Sequence, residues 1–275
     1  MTGYLVYDVF TDTRFAGNQL AVIPAGTGIA EADLQRIARE FNFSETTFVY
    51  PPDDPAHTAR VRIFTPTMEL PFAGHPTIGT AVALAGLGHG PDMVLELGVG
   101  PLVARAQEGR AQFTTEVPLE RLAMPDPGLV ARALGVAPAR LKSPPVMASL
   151  GLAFTFTELD SRETLAALTP DVAAFRDGAT AYPQGLDFAQ YAWVETDRGI
   201  HARMFAPLDN IAEDPATGSA AATLAALLAE ARGRFAGTIR QGEDMGRASR
   251  IGVEALPGRV TVSGQAAKVM EGRLL

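Results

Sequence analysis

Cysteine is absent from the 275-residue sequence, and tryptophan occurs once. Without a thiol the chain can form no disulfide, no thiolate nucleophile and no cysteine-ligated metal site. Charge of one sign is not concentrated either, because the net charge of -8 is spread along the chain without long blocks. That spread argues against nucleic acid and anionic membranes as partners.

Targeting and membrane-spanning signals are also missing from the sequence. The start, MTGYLVYDVF, has no basic region followed by a long apolar stretch, and no apolar run is long enough to cross a bilayer. We therefore expect neither a signal peptide nor a membrane span, and a cytoplasmic location follows by default.

The common motifs for phosphate binding, zinc proteolysis and serine hydrolysis do not occur. Glycines near GLGHG and GVGPL do not complete a dinucleotide fingerprint. The histidines at positions 57, 89 and 201 are too far apart in sequence to form a spaced metal set. The sequence thus shows no signature of a metal site or of a nucleotide-cofactor site.

What the chain does contain is a series of short strand signals. Segments such as YLVYDVFT, QLAVIP and TARVRIFTP are rich in β-branched and aromatic residues and are bounded by Gly, Pro or Asp. Hairpins are predicted to turn at Glu108-Gly109 and at 197–199. Three more strands are predicted near the C-terminus, from SRIGVEAL, RVTVSGQAA and VMEGRLL.

Helices are fewer. Apolar spacing predicts one over 30–41. Asp126-Pro127 is expected to open a second that stops at Gly135, and Ser161 to cap a third that ends before Pro170.

The stretch EDPATGSAAATLAALLAE, residues 213–230, combines a polar start with an apolar run. Proline is tolerated at the first helical position, so Pro215 predicts a helix start with Asp214 as its N-cap. A helix that is apolar all round is buried. Its free N-terminal amides would then form an anion site, which the small Gly218 and Ser219 let a ligand approach. An ordinary capped core helix is the alternative.

A related stretch occurs earlier in the chain. RIFTPTMELPFAGHPTIGTAVAL, residues 62–84, matches RMFAPLDNIAEDPATGSAAATL, residues 203–224, and Pro76 corresponds to Pro215 at a separation of 139. Each copy predicts a strand, a loop and a proline-led apolar helix. In this repeat His75 takes the place of Asp214.

The repeat predicts two similar halves whose helix N-termini face a shared cleft, one offering an imidazole and the other a carboxylate. The first half-domain is predicted to comprise residues 1–118 with a C-terminal strand at 262–275. The second is predicted to comprise residues 119–261. His75 and Asp214 as simple helix caps remain the alternative.

Five stretches in order resemble the signatures of one family. FAGNQLAV, FNFSETTFV, ELPFAGHPTIGTA, EDPATGSAA and QGEDMGRASRIGV look like those of the phenazine-biosynthesis PhzF-like isomerases. The resemblance implies a diaminopimelate-epimerase-like α+β fold, with two pseudo-symmetric halves. Each half would be a curved, largely antiparallel sheet or barrel around a central helix. True diaminopimelate epimerases use two cysteines as acid and base, so the lack of cysteine rules out their chemistry.

The same resemblance implies roles for particular residues. Glu45, in FNFSETTFV, corresponds to the family's catalytic acid/base. The substrate-binding residues would be His75, Asp214, Ser219, Gly74, Gly218 and Asn18.

The surroundings of Glu45 in the sequence support an acid/base role independently. Phe41, Phe43 and Phe48 flank it, and an apolar setting raises the pKa of a carboxyl towards neutrality, where it can both give and take protons. A solvated Glu at a strand start, or one that pairs with Ser44 in a helix cap, is the alternative.

Together these features predict a cofactor-independent isomerase. It would move a proton on a small carboxylate-bearing metabolite, as the type member does on trans-2,3-dihydro-3-hydroxyanthranilate. A racemase or epimerase of another small acid, or a non-catalytic small-molecule binder, are the alternatives. The resemblance also implies a homodimer with a small-molecule substrate, and the spread of charge argues against a nucleic-acid or membrane partner.

Overall fold

The computed structural model describes residues 1–185 and 187–275. Its strands, in chain order, are β1 Thr2–Val9, β2 Asn18–Ile23, β3 Glu45–Tyr50, β4 Ala59–Phe64, β5 Glu69–Leu70, β6 Asp92–Leu97, β7 Gly100–Gln107, β8 Arg110–Thr115, β9 Glu120–Ala123, β10 Val146–Ser149, β11 Ala153–Glu158, β12 Gln190–Thr196, β13 Gly199–Ala206, β14 Ile211–Asp214, β15 Phe235–Gln241, β16 Ser249–Leu256 and β17 Arg259–Leu274. Its α-helices are α1 Glu31–Phe41, α2 Gly74–Gly86, α3 Pro127–Leu134, α4 Arg162–Ala166, α5 Val172–Ala181 and α6 Gly218–Arg232.

The chain divides into two compact units. The first unit is Met1–Thr115 with Thr261–Leu275, and the second unit is Glu116–Val260.

The first unit is a closed barrel around α2. Its strands pair in the order β1-β2-β3-β4-β6-β7-β8-β17, and β17 returns to β1. The β2–β3 and β4–β6 pairs are parallel. Helix α2 packs against β1, β2, β3, β7 and β8. It is buried over 74–84, as expected for a helix without a polar face.

The second unit repeats this order of strand pairing. Strands β10–β11, β12–β13 and β15–β16 pair antiparallel, whereas β11–β12 and β13–β15 pair parallel. Helix α6 packs against β15 and β16 and is buried over most of its length. The predicted α+β fold, with two similar halves that each hold a central helix, is therefore confirmed.

Close packing between α2 and its barrel depends on a glycine. A Cβ on Gly79 would lie 2.5 Å from Leu20 Cδ2 and 2.7 Å from Val9 Cγ2. Helix interiors ordinarily disfavour glycine. Here its missing side chain lets the helix approach β1 and β2, which fixes the position of the helix N-terminus.

Several local predictions are confirmed. The hairpin at Glu108 and Gly109 turns with φ of 53° and 73°, the left-handed pair that a tight β-hairpin requires. Asp126 Oδ1 accepts from the amide of Leu129 at the start of α3, which ends at a left-handed Gly135. Ser161 caps α4 by accepting from the amide of Thr164.

Two expectations about local structure are wrong, and one helix, α5, which is capped by Asp171, has no counterpart among the predicted elements. The last two predicted strands are one continuous strand, β17. Helix α6 begins at Gly218 with Thr217 as its N-cap, so Pro215 precedes the helix and Asp214 ends β14 instead of capping it.

Candidate functional site

The first unit brings three of the predicted site residues together. Glu45 opens β3, Asn18 opens β2, and His75 is the second residue of α2. His75 Nε2 lies 3.4 Å from Glu45 Oε2. His75 Nδ1 lies 3.3 Å from Asn18 Nδ2. The helix N-terminus and two strand ends thus place an imidazole between a carboxylate and an amide.

His75 is a neutral imidazole at pH 7. The side chain is buried, and the loss of solvation lowers the pKa of His75 to about 3. A hydrogen bond to the Gln19 backbone raises the pKa, but by less than burial lowers it. A neutral ring has one donor and one acceptor nitrogen. His75 can therefore donate one hydrogen bond and accept another, but it has no positive charge with which to attract an anion.

The orientation of the ring depends on a short polar chain. Ser44 Oγ lies 3.4 Å from Asn18 Oδ1, to which it donates. The amide nitrogen of Asn18 faces His75 Nδ1 at 3.3 Å, so the amide donates to Nδ1 in the tautomer that carries the ring proton on Nε2. Nε2 is the nitrogen nearest to Glu45.

The setting of Glu45 differs in one respect from the sequence argument. Side chains alternate across a strand, so Phe48 lies on the opposite face of β3 from Glu45. Phe48 belongs to a cluster on the α1 side, with Leu34 and Phe64. The face that carries Glu45 points to α2, because Thr47 Oγ1 meets Thr80 Oγ1 at 3.0 Å. Phe48 therefore does not desolvate Glu45.

In the second unit Asp214 is held by side chains around the start of α6. Its Oδ2 accepts a 2.5 Å hydrogen bond from Thr217 Oγ1. Gln241, at the end of β15, donates from Nε2 to the Asp214 backbone oxygen at 2.8 Å. Asp214 is buried, and its carboxylate bonds to a side chain three residues later instead of the helix amides that the sequence predicted.

The remaining predicted site residues lie at the two helix N-termini. Gly74 is the first residue of α2, and Gly218 and Ser219 are the first two of α6. Ser219 is half-buried. The structure thus groups Asn18, Glu45 and the start of α2 in the first unit. It groups Asp214 with the start of α6 in the second, and the shared cleft stays a prediction.

Residues that sequence reasoning missed complete both groups. The sequence indicates Ser44 only as a helix-cap partner. It assigns no role to Thr217, Gln241 or Tyr191, although Gln241 opens the QGEDMGR stretch. The QGEDMGR stretch is the one feature of the sequence that points to Gln241 as a functional residue.

A surface cavity of about 610 Å³ lies elsewhere in the first unit, and none of the predicted site residues lines it. Its charges are already paired, because Arg62 binds Glu31 and Glu69, and His57 binds Glu96. Within the described residues no cluster of His, Asp and Glu is suited to hold a metal ion. No α-helix among those residues is long and apolar enough to span a membrane.

Comparison with known proteins assigns the chain to a family. The model of the phenazine biosynthesis-like proteins, PhzC-PhzF, matches residues 7–272. An uncharacterized isomerase of Mesorhizobium japonicum is 38% identical, with 98% of each chain covered. The trans-2,3-dihydro-3-hydroxyanthranilate isomerase of Pseudomonas aeruginosa is 36% identical, with 99% of each chain covered.

Solved structures agree with this assignment. A predicted epimerase from Pseudomonas aeruginosa superposes with a TM-score of 0.85 at 30% identity, covering 100% of this chain and 99% of that one. The chain belongs to the phenazine biosynthesis-like family and is an enzyme of the isomerase class.

Proposed function

We propose that the chain is a cofactor-independent isomerase in which Glu45 moves a proton between two carbons of a small carboxylate-bearing metabolite. The substrate would be of the trans-2,3-dihydro-3-hydroxyanthranilate type. The observation that carries this proposal is the 3.4 Å approach of His75 Nε2 to Glu45 Oε2 at a helix N-terminus. That distance is long for a hydrogen bond, and catalytic contacts in unliganded enzymes are often long.

The proposed cycle needs only a carboxyl group that gives back the proton it takes. Glu45 as carboxylate removes a proton from a carbon made acidic by neighbouring unsaturation, and the electron pair left behind delocalises over the substrate. The resulting carboxylic acid returns the proton to a second carbon on the same face, so that a double bond moves. No electrons enter or leave, which is why the proposal requires no cofactor.

The roles of the other residues follow from their chemistry. Neutral His75, with its proton on Nε2, would steady the Glu45 carboxylate by donating to it, and Asn18 would keep the ring in that orientation. Asp214 and Ser219 would orient the polar groups of the substrate. The amides at the starts of α2 and α6 would favour its anionic carboxylate.

The strand registers favour one proton carrier over two. Phe64 of the first copy of the repeat pairs with Thr46, and its counterpart Phe205 pairs with Gln190. Position 189 of the second unit therefore corresponds to position 45 of the first, and the residue at position 189 is alanine. A racemase needs acid/base groups on both faces of its substrate. A single carboxylate at this strand position supports transfer along one face, and so the isomerase over the racemase alternative.

A direct experiment is turnover of trans-2,3-dihydro-3-hydroxyanthranilate in D₂O by the purified chain, followed by NMR and mass spectrometry. We expect the product to be an isomer of the substrate, with deuterium incorporated at no more than one carbon. Full retention of the original hydrogen would mean that the carboxyl is shielded from solvent during transfer, which is also compatible with a single carrier.

Two outcomes would count against the proposal. Absence of turnover by enzyme that is folded would refute the substrate class. Inversion of a stereocentre, with deuterium entering from the opposite face, would instead indicate a racemase with two acid/base groups.

A further inference from the structure

Gln241 is a buried side chain in a stretch to which the proposed reaction assigns no task. It ends β15, is 1% exposed and lies at the start of QGEDMGR. A buried primary amide needs partners for two donors and an acceptor. The identity of those partners shows whether Gln241 only fills space or also holds a neighbouring group in position.

Two backbone groups determine which way the amide of Gln241 points. The amide N–H of Thr217 donates to Gln241 Oε1 at 3.1 Å, and the carbonyl of Asp214 accepts from Nε2 at 2.8 Å. A backbone N–H can only donate and a backbone carbonyl can only accept. The oxygen and nitrogen of this side chain therefore cannot be exchanged.

The second proton of Gln241 Nε2 then fixes the direction of the next bond. It faces Thr217 Oγ1 at 3.0 Å. Since the Thr217 hydroxyl accepts there, its own proton is directed to Asp214 Oδ2, 2.5 Å away. A chain of donors thus runs from Gln241 through Thr217 to the Asp214 carboxylate.

Tyr191 completes the arrangement from β12, which is separated from β15 by β13. Its hydroxyl donates to Gln241 Oε1 at 3.2 Å. The ring is fully buried, and burial raises the pKa of Tyr191 above its usual range, so the phenol stays protonated as a donor. Gln241 Oε1 accepts two bonds and Nε2 donates two, so the amide has no unused capacity.

Gly242 keeps this amide against the helix start. Its φ is +75°, and a Cβ there would lie 2.4 Å from the Arg247 carbonyl oxygen and 2.7 Å from that of Pro215. Only glycine fits a position that is both left-handed and this close to neighbouring backbone. The QG pair therefore closes directly over the segment that carries Asp214.

We propose that Gln241 and Thr217 are positioning residues that hold the Asp214 carboxylate in one orientation for the substrate. The inference rests on the proposed function only in assigning Asp214 to substrate binding. Thr217 acts by its hydroxyl, and Gln241 acts through Thr217 and through the Asp214 backbone. A displacement of about 1 Å of a catalytic or binding group can cost roughly 100-fold in rate.

The first arm of the test needs no substrate. Two-dimensional ¹H–¹⁵N NMR of the full chain should show both side-chain amide protons of Gln241 protected from exchange with D₂O, because both are hydrogen-bonded and buried. They are assigned by their loss in Gln241→Met. Thr217→Val, which removes the hydroxyl at nearly constant shape, should expose one of the two protons, whereas Thr217→Ser should keep both protected.

The second arm measures turnover of trans-2,3-dihydro-3-hydroxyanthranilate. Thr217→Val should lower kcat/KM about 10- to 100-fold, and Thr217→Ser should restore it to within about threefold of wild type. Thr196→Val is the matched control, because it removes a threonine hydroxyl that bonds a backbone oxygen in the β12–β13 hairpin of the same unit. It should leave kcat/KM unchanged.

Gln241→Glu adds a pH signature that a space-filling role would not give. An ionised glutamate can donate neither to the Asp214 carbonyl nor to Thr217, whereas a protonated one can donate to one of the two. Activity relative to wild type should therefore recover as the pH falls, and the neutral Gln241→Met should show no such recovery.

The outcomes separate the two proposals. A wild type that does not turn over the probe refutes only the substrate class of the proposed function, and the exchange arm still decides the positioning network. Fast exchange of both Gln241 protons in wild type refutes the network. Equal turnover by Thr217→Val and Thr217→Ser in an active enzyme refutes the positioning role.

Discussion

Asp187 gives a stability prediction that depends on pH. It is 4% exposed, its Oδ1 accepts from the amide of Ala189 at 3.1 Å, and in the described part of the chain its Oδ2 meets no hydrogen-bond donor. Burial, and next the nearby carboxyl of Asp209, raise the pKa of Asp187 to about 7 from 3.8. A protonated Asp187 can donate to Asp209, whereas an ionised one cannot.

The direction in which stability changes with pH follows from proton binding. Between pH 4 and 7 the folded chain holds a proton on Asp187 that the unfolded chain has released. Stability therefore falls as the pH rises through this window. A shift of about 3 pKa units corresponds to at most about 4 kcal/mol at pH 8.

Replacing Asp187 with Asn tests this reasoning, because the Asn amide donates to Asp209 at any pH. Asp187→Asn should stabilise the fold by about 1–4 kcal/mol at pH 8 and by much less at pH 4. Urea unfolding followed by the fluorescence of Trp193, the one tryptophan and a residue of the second unit, measures the difference. Asp177→Asn, at an exposed carboxylate paired with Arg132, is the control. A gain that is equal at both pH values would refute the reasoning.

Four further predictions concern other parts of the molecule. The pKa of His75 is lowered to about 3 from 6.5, so as the pH falls the unfolded chain takes up a proton on His75 before the folded chain does. Acid should therefore destabilise wild type more than His75→Gln, as measured by circular dichroism melts at pH 4 and 7. Gly79→Ala should cost about 1–3 kcal/mol in urea unfolding, because the added methyl overlaps Leu20 and Val9; a gain would mean that the helix can shift. Ser219→Ala should weaken binding of the substrate in calorimetry without lowering the melting temperature, and unchanged binding would remove Ser219 from the site. Sedimentation equilibrium at micromolar concentration should give twice the chain mass, and a monomer would contradict the predicted homodimer alone.

Much of the fold could be predicted because its determinants are local. The hairpin at Glu108-Gly109 and the cap at Asp126 each depend on residues within a few positions of one another. The repeat also shows in the sequence, because each half needs the same apolar helix inside its sheet. Pro76 and Pro215 mark equivalent points, yet α2 includes its proline and α6 starts beyond its own. A difference of one turn at the helix start depends on capping contacts that the repeat does not encode.

The contacts around the candidate site could not be predicted, because they join distant segments. Asn18 reaches His75 across 57 positions, and Gln241 reaches Thr217 across 24. Both depend on how the strands pair around each central helix. Phe48 shows the opposite error, since proximity in sequence suggested a contact with Glu45 that the alternation of β3 forbids.

The role of Glu45 as proton carrier is tested most directly by Glu45→Gln. Glutamine keeps the size and the hydrogen bonding of glutamate but cannot exchange a proton. General acid–base groups contribute about 10²–10⁴-fold, so turnover of trans-2,3-dihydro-3-hydroxyanthranilate, followed by NMR in D₂O, should fall by at least about 100-fold. Asp214→Asn, measured beside it, should weaken binding more than it slows proton transfer. A Glu45→Gln enzyme that transfers protons as fast as wild type, while Asp214→Asn transfers none, would contradict the account and make Asp214 the base.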